Sequence, residues 1–292
     1  MNCYFSLERD FIFMDKTLTG DEYHSPIVRF PKISVITVCL NAQEFIEQCM
    51  LSVITQTFND FEYVIIDGGS TDDTVDIIKK YDNKIAYWHS QPDRGLAHAF
   101  NLGVENSSGQ WLVFLNSDDY FASSNVLKDM VVHIDKHPDV DVIFGQMNMI
   151  TRKQVSKKIG GPYGEAIKWE KFCRKATIPH QAAFSPRSFF ERIGPFNEDF
   201  LIAVDYEHYL RAGPGFNTKF VPLLVTNMRD GGMAKKDILA TYREWQLAQV
   251  TSGKRSFFFA RLDFIYFVAR NMISRIIHKL LRAFKGRFFY VR

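Results

Sequence analysis

Apolar runs that alternate with amphipathic stretches dominate residues 32–145. The run Ile33–Cys39 is continuous, apolar and rich in β-branched residues, which is typical of a strand buried on both faces of a parallel sheet. Further strands are predicted at Tyr63–Ile66, Ile85–His89, Trp111–Leu115 and Val140–Phe144. Helical spacing predicts helices at Gln43–Gln56, from Ser70 to about Tyr81, at Gly95–Val104 and at Asn125–His137.

This regular alternation of strands and helices predicts an α/β fold with a parallel sheet and helices on both of its faces. Ser70 and Asp73 have the spacing of a capping-box variant at the start of the second helix. After Gly145 the pattern is less regular. It predicts a strand at Phe220–Val225 and helices at Ser188–Ile193, Val204–Ala212 and Ile238–Thr251.

Acidic side chains follow two of the predicted strands. Asp67 ends the second strand, and Asp118 and Asp119 follow the fourth. Parallel sheets bind ligands beyond the carboxyl ends of their strands. Paired carboxylates at that edge can hold a hard cation such as Mn²⁺ or Mg²⁺, which in turn binds diphosphate oxygens. The alternative is that residues 116–119 are a polar turn that caps the next helix.

Four runs taken together carry a resemblance that none carries alone. They are ISVITVCLN at 33–41, VIIDGGSTDDT at 64–74, QPDRGLAHAFN at 91–101 and GQWLVFLNSDD at 109–119. In order and spacing they resemble the nucleotide-binding half of family 2 glycosyltransferases. The similarity resumes at HQAAF (180–184) and at GPFNEDFLIAVDYEHYLR (194–211). The resemblance implies the GT-A fold and transfer that inverts the anomeric carbon of a sugar.

The resemblance also implies a domain organisation. Residues 1–31 are expected to form an irregular lead-in. Residues 32–235 form the GT-A domain, with a nucleotide-binding half at 32–145 and an acceptor half at 146–235. Residues 236–292 form a helical, basic C-terminal region.

Roles in donor binding follow by position. Thr37 and Asp67 match residues that contact the nucleobase, usually uracil, and Asn41 closes the first matching run. Asp93 and Arg94 match an acid–base pair beside the ribose and the diphosphate. Asp118 and Asp119 match the ribose and metal contacts of the D-x-D motif. The family's first Asp is replaced by Asn116, and the order of the two remaining contacts stays open.

The second matching region supplies the acceptor side. Asp205 matches the Asp of the family's E-D motif and is the candidate catalytic base, although Val204 replaces the preceding Glu. Glu207 is the second candidate. His180 matches a family His and is a candidate metal ligand, with a structural His as the alternative. Asp230-Gly231-Gly232 matches a loop that closes over the donor, or forms a plain turn.

Charge separates the C-terminal region from the rest of the chain. From Gly253 to Arg292, ten Lys or Arg against one acid give +9, which leaves −6 for the remainder of a chain of net charge +3. Within Asn271–Phe284, apolar residues recur at helical spacing with Arg275, Lys279 and Arg282 largely between them. This predicts an amphipathic helix that lies on an anionic membrane. The alternative is a helix packed on the domain or in a homo-oligomer, and nucleic acid is not an expected partner.

Several classes of protein and location are disfavoured. The first strand is followed by Leu40-Asn41-Ala42, without the glycines of a dinucleotide-binding loop, and no P-loop is present. The four cysteines show neither disulfide-framework nor zinc-site spacing, so a reducing compartment is favoured. Acidic and basic residues at positions 8–10 interrupt any signal peptide, and no run is long enough to span a bilayer.

The sequence therefore predicts a metal-dependent, inverting glycosyltransferase. Its donor would be a nucleotide sugar, with a UDP-hexose favoured, and its acceptor a hydroxyl of a saccharide, with a lipid-linked one favoured. Its expected place is the cytoplasmic face of the cell membrane, in the synthesis of surface polysaccharide such as lipopolysaccharide. The alternative, raised by Asn116 and Val204, is a non-catalytic sugar-nucleotide-binding or scaffold protein that retains the fold.

Overall fold

The computed structural model describes residues 30–151, 155–159 and 167–288. Its strands, in chain order, are β1 Ile33–Cys39, β2 Phe61–Asp67, β3 Tyr87–Ser90, β4 Trp111–Phe114, β5 Tyr120–Phe121, β6 Val142–Ile150, β7 Val155–Ile159, β8 Ala183–Pro186 and β9 Thr218–Arg229. Its helices are α1 Ile46–Ile54, α2 Thr74–Lys79, α3 Leu96–Glu105, α4 Val126–Lys136, α5 Trp169–Phe172, α6 Arg187–Ile193, α7 Val204–Leu210, α8 Met233–Lys236, α9 Ile238–Thr251 and α10 Phe257–Phe288. Except for Phe30 and Pro31, the expected lead-in lies outside the described residues.

All these strands belong to one mixed sheet of order β3-β2-β1-β4-β8-β6-β9-β5, with β7 paired to β6. Strands β3, β2, β1 and β4 are parallel, as the alternating pattern predicts. Beyond β4 the sheet is mixed. There the short strand β8, which the pattern did not indicate, runs antiparallel to both β4 and β6. Strand β9 then pairs in parallel with β6, and β5 pairs antiparallel with β9.

Helices cover both faces of the sheet, as predicted. Alternate residues of β1 point to opposite faces, so Ile33 and Val35 pack with α1 and α4, while Ile36 and Val38 pack with α3, α6 and α7. All seven residues of β1 are buried. Each buried Ile, Val or Phe stabilises the fold by about 1.5–3 kcal/mol relative to an exposed side chain. The two layers of core fix the central strands and therefore the loops that follow them.

The start of α2 differs from the predicted capping box. Ser70 Oγ donates to Asp67, and Asp73 makes no capping hydrogen bond. Instead, Asp72 Oδ1 accepts the backbone N–H of Thr74 at 3.0 Å. By accepting a backbone N–H group in the first turn of the helix, the carboxylate of Asp72 acts as the N-terminal cap. Ser70 is thereby left to organise the loop after β2.

The C-terminal region is helical, as expected. Helix α9 has the predicted bounds, and Asp237 caps it by accepting the N–H of Ala240 at 2.9 Å. After α9, one long helix, α10, runs from Phe257 to Phe288. It begins ahead of the predicted amphipathic stretch at Asn271–Phe284. The side chains of that stretch are described as far as Ile277, so its later apolar and basic positions lie outside the described side chains. No helix within the described residues is both long enough and apolar enough to cross a membrane.

Candidate active site

Sheet topology gathers the candidate residues at one edge. Strands β1, β2, β3 and β4 run in the same direction, so Asn41, Asp67, Asp93 and Asp118 all follow carboxyl ends at this edge. Strand β8 runs the opposite way and begins where its neighbours end. The short 3₁₀ helix His180–Ala182 precedes β8 and therefore reaches the same edge.

The carboxylate of Asp67 is buried and saturated with donors. Its Oδ2 accepts the N–H of Gly69 at 3.2 Å, the N–H of Ser70 at 2.9 Å and the hydroxyl of Ser90 at 2.6 Å. Its Oδ1 accepts the hydroxyl of Ser70 and the thiol of Cys39. Burial alone would raise the pKa of Asp67, but the hydrogen bonds from Ser70 and Ser90 outweigh it, and the pKa is lowered.

Five donors on Asp67 match or exceed the roughly four lone-pair sites of a carboxylate. In this structure, Asp67 therefore joins the loops after β2 and β3 and has no oxygen free for the imide N–H of a nucleobase. Its role in this structure is to hold the shape of these loops.

Thr37 also differs from its expected role as a nucleobase contact. Its side chain is fully buried, and its Oγ1 accepts the hydroxyl of Tyr63 at 3.1 Å. Strand alternation causes this, because Thr37 points into the layer between the sheet and α1. Asn41 lies on the surface with a positive φ of 49°, a conformation that Asn tolerates better than most residues. Its Oδ1 accepts the N–H of Thr71 at 2.9 Å, which ties the β1 loop to the β2 loop.

Asp93 and Arg94 line the same edge. Asp93 Oδ1 accepts the N–H of Gly95 at 2.7 Å, and a Cβ at Gly68 would lie 2.6 Å from Asp93 Oδ2. Glycine at position 68 thus lets this carboxylate sit against the β2 loop. Arg94 makes a bidentate pair with Glu198, with both N–O distances at 2.8 Å. The expected phosphate-binding guanidinium is therefore paired with an acid of the acceptor half.

Asn116, Asp118 and Asp119, which we call the β4 cluster, follow β4. In contrast to the oxygens of Asp67, the side-chain oxygens of this cluster accept few hydrogen bonds. Asp119 is buried, its Oδ1 accepts the N–H of Arg229 at 3.0 Å, and its Oδ2 has no hydrogen-bond partner among the described residues. The buried Oδ1 of Asn116 also has none there. Burial raises the pKa of Asp118, and burial together with the charge of Asp118 raises the pKa of Asp119 well above its usual range.

These oxygens fit a hard divalent cation. Mn²⁺ and Mg²⁺ prefer carboxylate and carbonyl oxygen, and a cation would relieve both the unpartnered atoms and the repulsion between the two aspartates. Asn116 takes the place of a third carboxylate. Across the described residues, no group of three or more His, Cys, Asp and Glu is arranged to hold a metal. A cation here would thus rest on two carboxylates, an amide oxygen, water and the ligand's own phosphates.

His180 does not join the two aspartates in a metal-binding group. Its ring is buried and stacks on Phe114 at a centroid distance of 5.2 Å, and its Nδ1 lies 3.4 Å from the hydroxyl of Tyr209. Burial lowers the pKa of His180, and the charge of Asp205 partly opposes that shift. His180 is therefore a neutral, buried neighbour of the candidate base at neutral pH.

Asp205 lies in the first turn of α7 and is half-buried. Its charge acts on His180 and Tyr209, and none of the described residues donates a hydrogen bond to its carboxylate. Glu207, the second candidate base, is buried. Its oxygens are taken by Arg211 at 3.0 Å and Ser252 at 2.6 Å, so it ties α7 to the end of α9. Of these two acids, Asp205 has the carboxylate free to accept a proton.

Helix α9 holds the start of α7. Glu244 accepts the backbone N–H groups of Leu201, Ile202 and Ala203, the last two at 2.8 Å. These donors directly precede α7, which has no side-chain cap of its own. Sequence reasoning missed Glu244, because its contact with α7 spans about forty residues and leaves no local pattern.

Sequence reasoning also missed Arg229, the last residue of β9. Its guanidinium lies over the rings of Phe45 at 4.6 Å and Tyr120 at 5.6 Å, and it bonds Gln48. Its charge and that of Lys236 oppose the rise in the pKa of Asp118. Its place directly before Asp230-Gly231-Gly232 was the signal that could have found it.

The family model for glycosyl transferase family 2 matches residues 34–193, more than half of the chain. The chain belongs to glycosyl transferase family 2. A relative from Mycobacterium tuberculosis, the PGL/p-HBAD biosynthesis glycosyltransferase, is 30% identical over 207 residues, which cover 69% of this chain and 78% of the relative. An uncharacterized glycosyltransferase of the same species is 34% identical over 184 residues, covering 62% and 69% of the two chains.

Solved structures agree on the fold of this glycosyltransferase. S. aureus TarS 1–349 in complex with UDP-GlcNAc aligns with a TM-score of 0.61 at 19% identity, over 81% of this chain and 71% of that one. The mannosyltransferase PcManGT of Pyrobaculum calidifontis, in complex with GDP-Man and Mn²⁺, aligns with a TM-score of 0.60 at 17% identity, over 90% and 82%. The predicted GT-A fold is confirmed. The family assignment also favours an enzyme over the non-catalytic alternative.

Proposed function

We propose that this glycosyltransferase moves a hexose from a UDP-sugar to a hydroxyl group of a lipid-linked saccharide, with inversion and with Mn²⁺ or Mg²⁺ as cofactor. One observation carries the proposal. The buried oxygens of Asn116 and Asp119 that have no partner among the described residues, with the carboxylate of Asp118 beside them, follow β4 at the sheet edge that His180 also reaches, and the charge of Asp205 acts on His180. The oxygens after β4 suit the diphosphate of a donor and its cation, and the carboxylate of Asp205 suits the hydroxyl of an acceptor.

The chemistry follows from this arrangement. The acceptor hydroxyl gives its proton to Asp205 as its oxygen attacks the anomeric carbon from the side opposite the diphosphate. The bond between the anomeric carbon and the diphosphate oxygen breaks, and the nucleoside diphosphate leaves with the electron pair. Asn116, Asp118 and Asp119 would hold the cation, which supplies positive charge to the leaving diphosphate. Asp205 and the β4 cluster thus act on opposite sides of the sugar.

Other groups at the edge complete the donor site in this proposal. Arg229 and Lys236 already lie in electrostatic reach of Asp118 and add positive charge where the diphosphate forms. Arg94 would bind phosphate after its ion pair with Glu198 breaks. The shaped loops held by Asp67 and Asn41 receive the nucleobase. Uracil is favoured by the family resemblance, and TarS, a structural neighbour, is crystallised with UDP-GlcNAc.

A relative's name and the charge of the chain support the proposed acceptor and location. One of the two mycobacterial relatives is named for PGL/p-HBAD biosynthesis. The chain also has a basic C-terminal region, which suits work at an anionic surface. We infer a role in assembling cell-surface polysaccharide at the cytoplasmic face of the membrane.

Turnover assays test the proposal. Purified protein is screened with UDP-, GDP- and dTDP-sugars and Mn²⁺, with release of nucleoside diphosphate as the readout. Asp205→Asn should bind the donor as the wild type does while turnover falls by about 10²–10⁴-fold, the usual worth of a general base. Glu191→Gln, which neutralises an exposed acid on α6, is the matched control and should leave turnover unchanged. Unchanged turnover in Asp205→Asn would refute the assignment of the base.

A further inference from the structure

Helix α10 is held to the protein along one of its faces. Ala260, Asp263 and Phe267 are buried on that face. The ring of Phe267 packs against Tyr242 and Trp245 of α9, at centroid distances of 5.7 and 5.8 Å. The helix is therefore docked by its inner face from its first turns, and its opposite face points away from the protein.

That opposite face is apolar where a surface helix is ordinarily polar. Ten large apolar residues of α10 are 47–66% exposed. We call them the outward stripe: Phe257, Phe258, Phe259, Leu262, Ile265, Tyr266, Met272, Ile273, Ile276 and Ile277. At about 1.5 Å per residue, the section from residue 258 to residue 276 is about 27 Å long. An apolar surface of this extent marks a site of contact with a partner or a membrane.

The charged residues of α10 also differ between its two faces: the acid is on the inner face and the arginines are exposed. Asp263 is the sole acid between Gly253 and the end of the sequence. It is buried and paired with Arg174 at 3.0 Å and Arg255 at 2.8 Å, so its charge does not reach the outer face. Arg261, Arg270 and Arg275 are exposed. At about 100° per residue, Arg261 and Arg270 lie on opposite borders of the stripe residues that follow Phe257.

The outward stripe, bordered by arginines on both sides, fits an anionic lipid surface better than a second copy of the chain. A second copy of the chain, packed stripe to stripe, would bring the same arginines close to one another, because a two-fold interface places identical surfaces together. An anionic bilayer receives the apolar side chains below its headgroups and the guanidinium groups among its phosphates. We propose that the outward stripe docks the protein on an anionic lipid surface, with α10 lying in the plane of the headgroups.

Docking of this kind would set the active site close to the membrane. Helix α10 packs on α9, and Glu244 of α9 holds the segment that begins α7 and carries Asp205. One helix thus lies between the outward stripe and the candidate base. Lipid binding does not itself depend on the proposed transfer reaction, so a failure of one leaves the other standing.

Vesicle co-sedimentation of the full-length protein tests the proposal. The probes are vesicles of phosphatidylcholine alone and of phosphatidylcholine mixed with phosphatidylglycerol. The wild type should sediment with the mixed vesicles and not with phosphatidylcholine, and added salt should weaken the binding. The variant Phe258→Ser, Ile265→Ser, Met272→Ser removes three exposed side chains and no buried ones. Its binding should fall roughly tenfold or more.

A matched variant controls for the loss of exposed apolar groups in general. Leu51→Ser, Val132→Ser, Leu239→Ser removes three exposed residues elsewhere on the surface and should bind vesicles as the wild type does. Circular dichroism checks that both variants fold. Equal vesicle binding by the stripe variant and the wild type would overturn the proposal. So would a wild-type dimer in sedimentation velocity that the stripe variant converts to a monomer, because the stripe would then be covered by a second copy.

Discussion

Asp67 at the end of β2 and Asp119 after β4 lie on one edge of the sheet, and the protein surrounds them in opposite ways. Asp67 receives five donors and its pKa is lowered. Asp119 receives one backbone N–H, leaves its other oxygen without a partner among the described residues, and has a raised pKa. The donor count separates a carboxylate that holds the fold from one that we propose binds the donor's cation.

Replacing Asp67 should cause the largest loss of stability. In Asp67→Asn, an amide NH₂ would face N–H and O–H donors, and charge-assisted hydrogen bonds worth about 1.5–3 kcal/mol each would be lost. We expect the melting temperature to fall by roughly 5–10 °C in thermal denaturation at pH 7. Because the pKa of Asp67 is lowered in the folded state, its contribution is present above the usual pKa near 4 and is lost as the pH falls through the folded value.

The difference between the wild type and Asp67→Asn should therefore shrink below about pH 4. A melting temperature equal to that of the wild type at pH 7 would show that the five hydrogen bonds do not stabilise the fold.

Glu244 is a second carboxylate of the saturated kind, and it acts on the candidate base. Glu244→Ala leaves three N–H groups ahead of α7 without their acceptor. We expect kcat to fall about tenfold through misplacement of Asp205, which corresponds to about 1.4 kcal/mol, with KM for the donor unchanged. Glu244→Gln keeps an acceptor oxygen and should recover part of the loss.

Steady-state kinetics provide the readout for Glu244, and Arg243→Ala on the exposed side of α9 is the control. If the Glu244 and Arg243 substitutions lowered kcat equally, Glu244 would not be positioning Asp205.

Replacing Asp119 should have a smaller effect of the opposite sign. With EDTA present, Asp119→Asn removes a buried charge that burial and Asp118 disfavour, while its Oδ1 can still accept the N–H of Arg229. The melting temperature at pH 7 should rise by roughly 2–4 °C, the equivalent of about 1 kcal/mol. Asp139→Asn, at an exposed carboxylate, should not shift it. A fall in the melting temperature of Asp119→Asn would show that the carboxylate is already satisfied without a cation.

The smallest effect is expected at the exposed pair of Arg94 and Glu198. Their side chains are 67% and 35% exposed, and pairs of this kind contribute at most about 1 kcal/mol. Glu198→Gln should free Arg94 for phosphate and tighten donor binding by less than about threefold, measured as KM. A loss of tenfold or more would mean that Glu198 contacts the substrate itself.

The sequence was most informative where a periodic pattern and burial agree. β1 and α9 have the predicted bounds, because each is set by a long apolar period and clear ends. β8 was missed because four residues carry too little pattern, and its antiparallel direction is fixed by pairing with β4 and β6. The pattern of α10 marked its apolar residues but could not tell which face packs on α9.

The candidate site shows the same limit at the level of side chains. Motif spacing predicted that Asp67 and Asp118 lie at the carboxyl ends of parallel strands on one edge of the sheet, and the structure places both there. It could not show that Ser70 and Ser90 saturate Asp67, since one donor comes from the loop after β2 and the other from the end of β3. It likewise could not show that Thr37 points into the core, because both faces of β1 are buried.

The most direct test of the account is calorimetric titration of UDP into the wild type and Asp118→Asn, with Mn²⁺ and then with EDTA. The account predicts that the wild type binds UDP more tightly with Mn²⁺ than with EDTA, and that Asp118→Asn loses this difference while it stays folded, with a melting temperature in EDTA no lower than that of the wild type. If UDP, GDP and dTDP all failed to bind the wild type, or if Asp118→Asn kept the full response to Mn²⁺, the β4 cluster would not be the donor site.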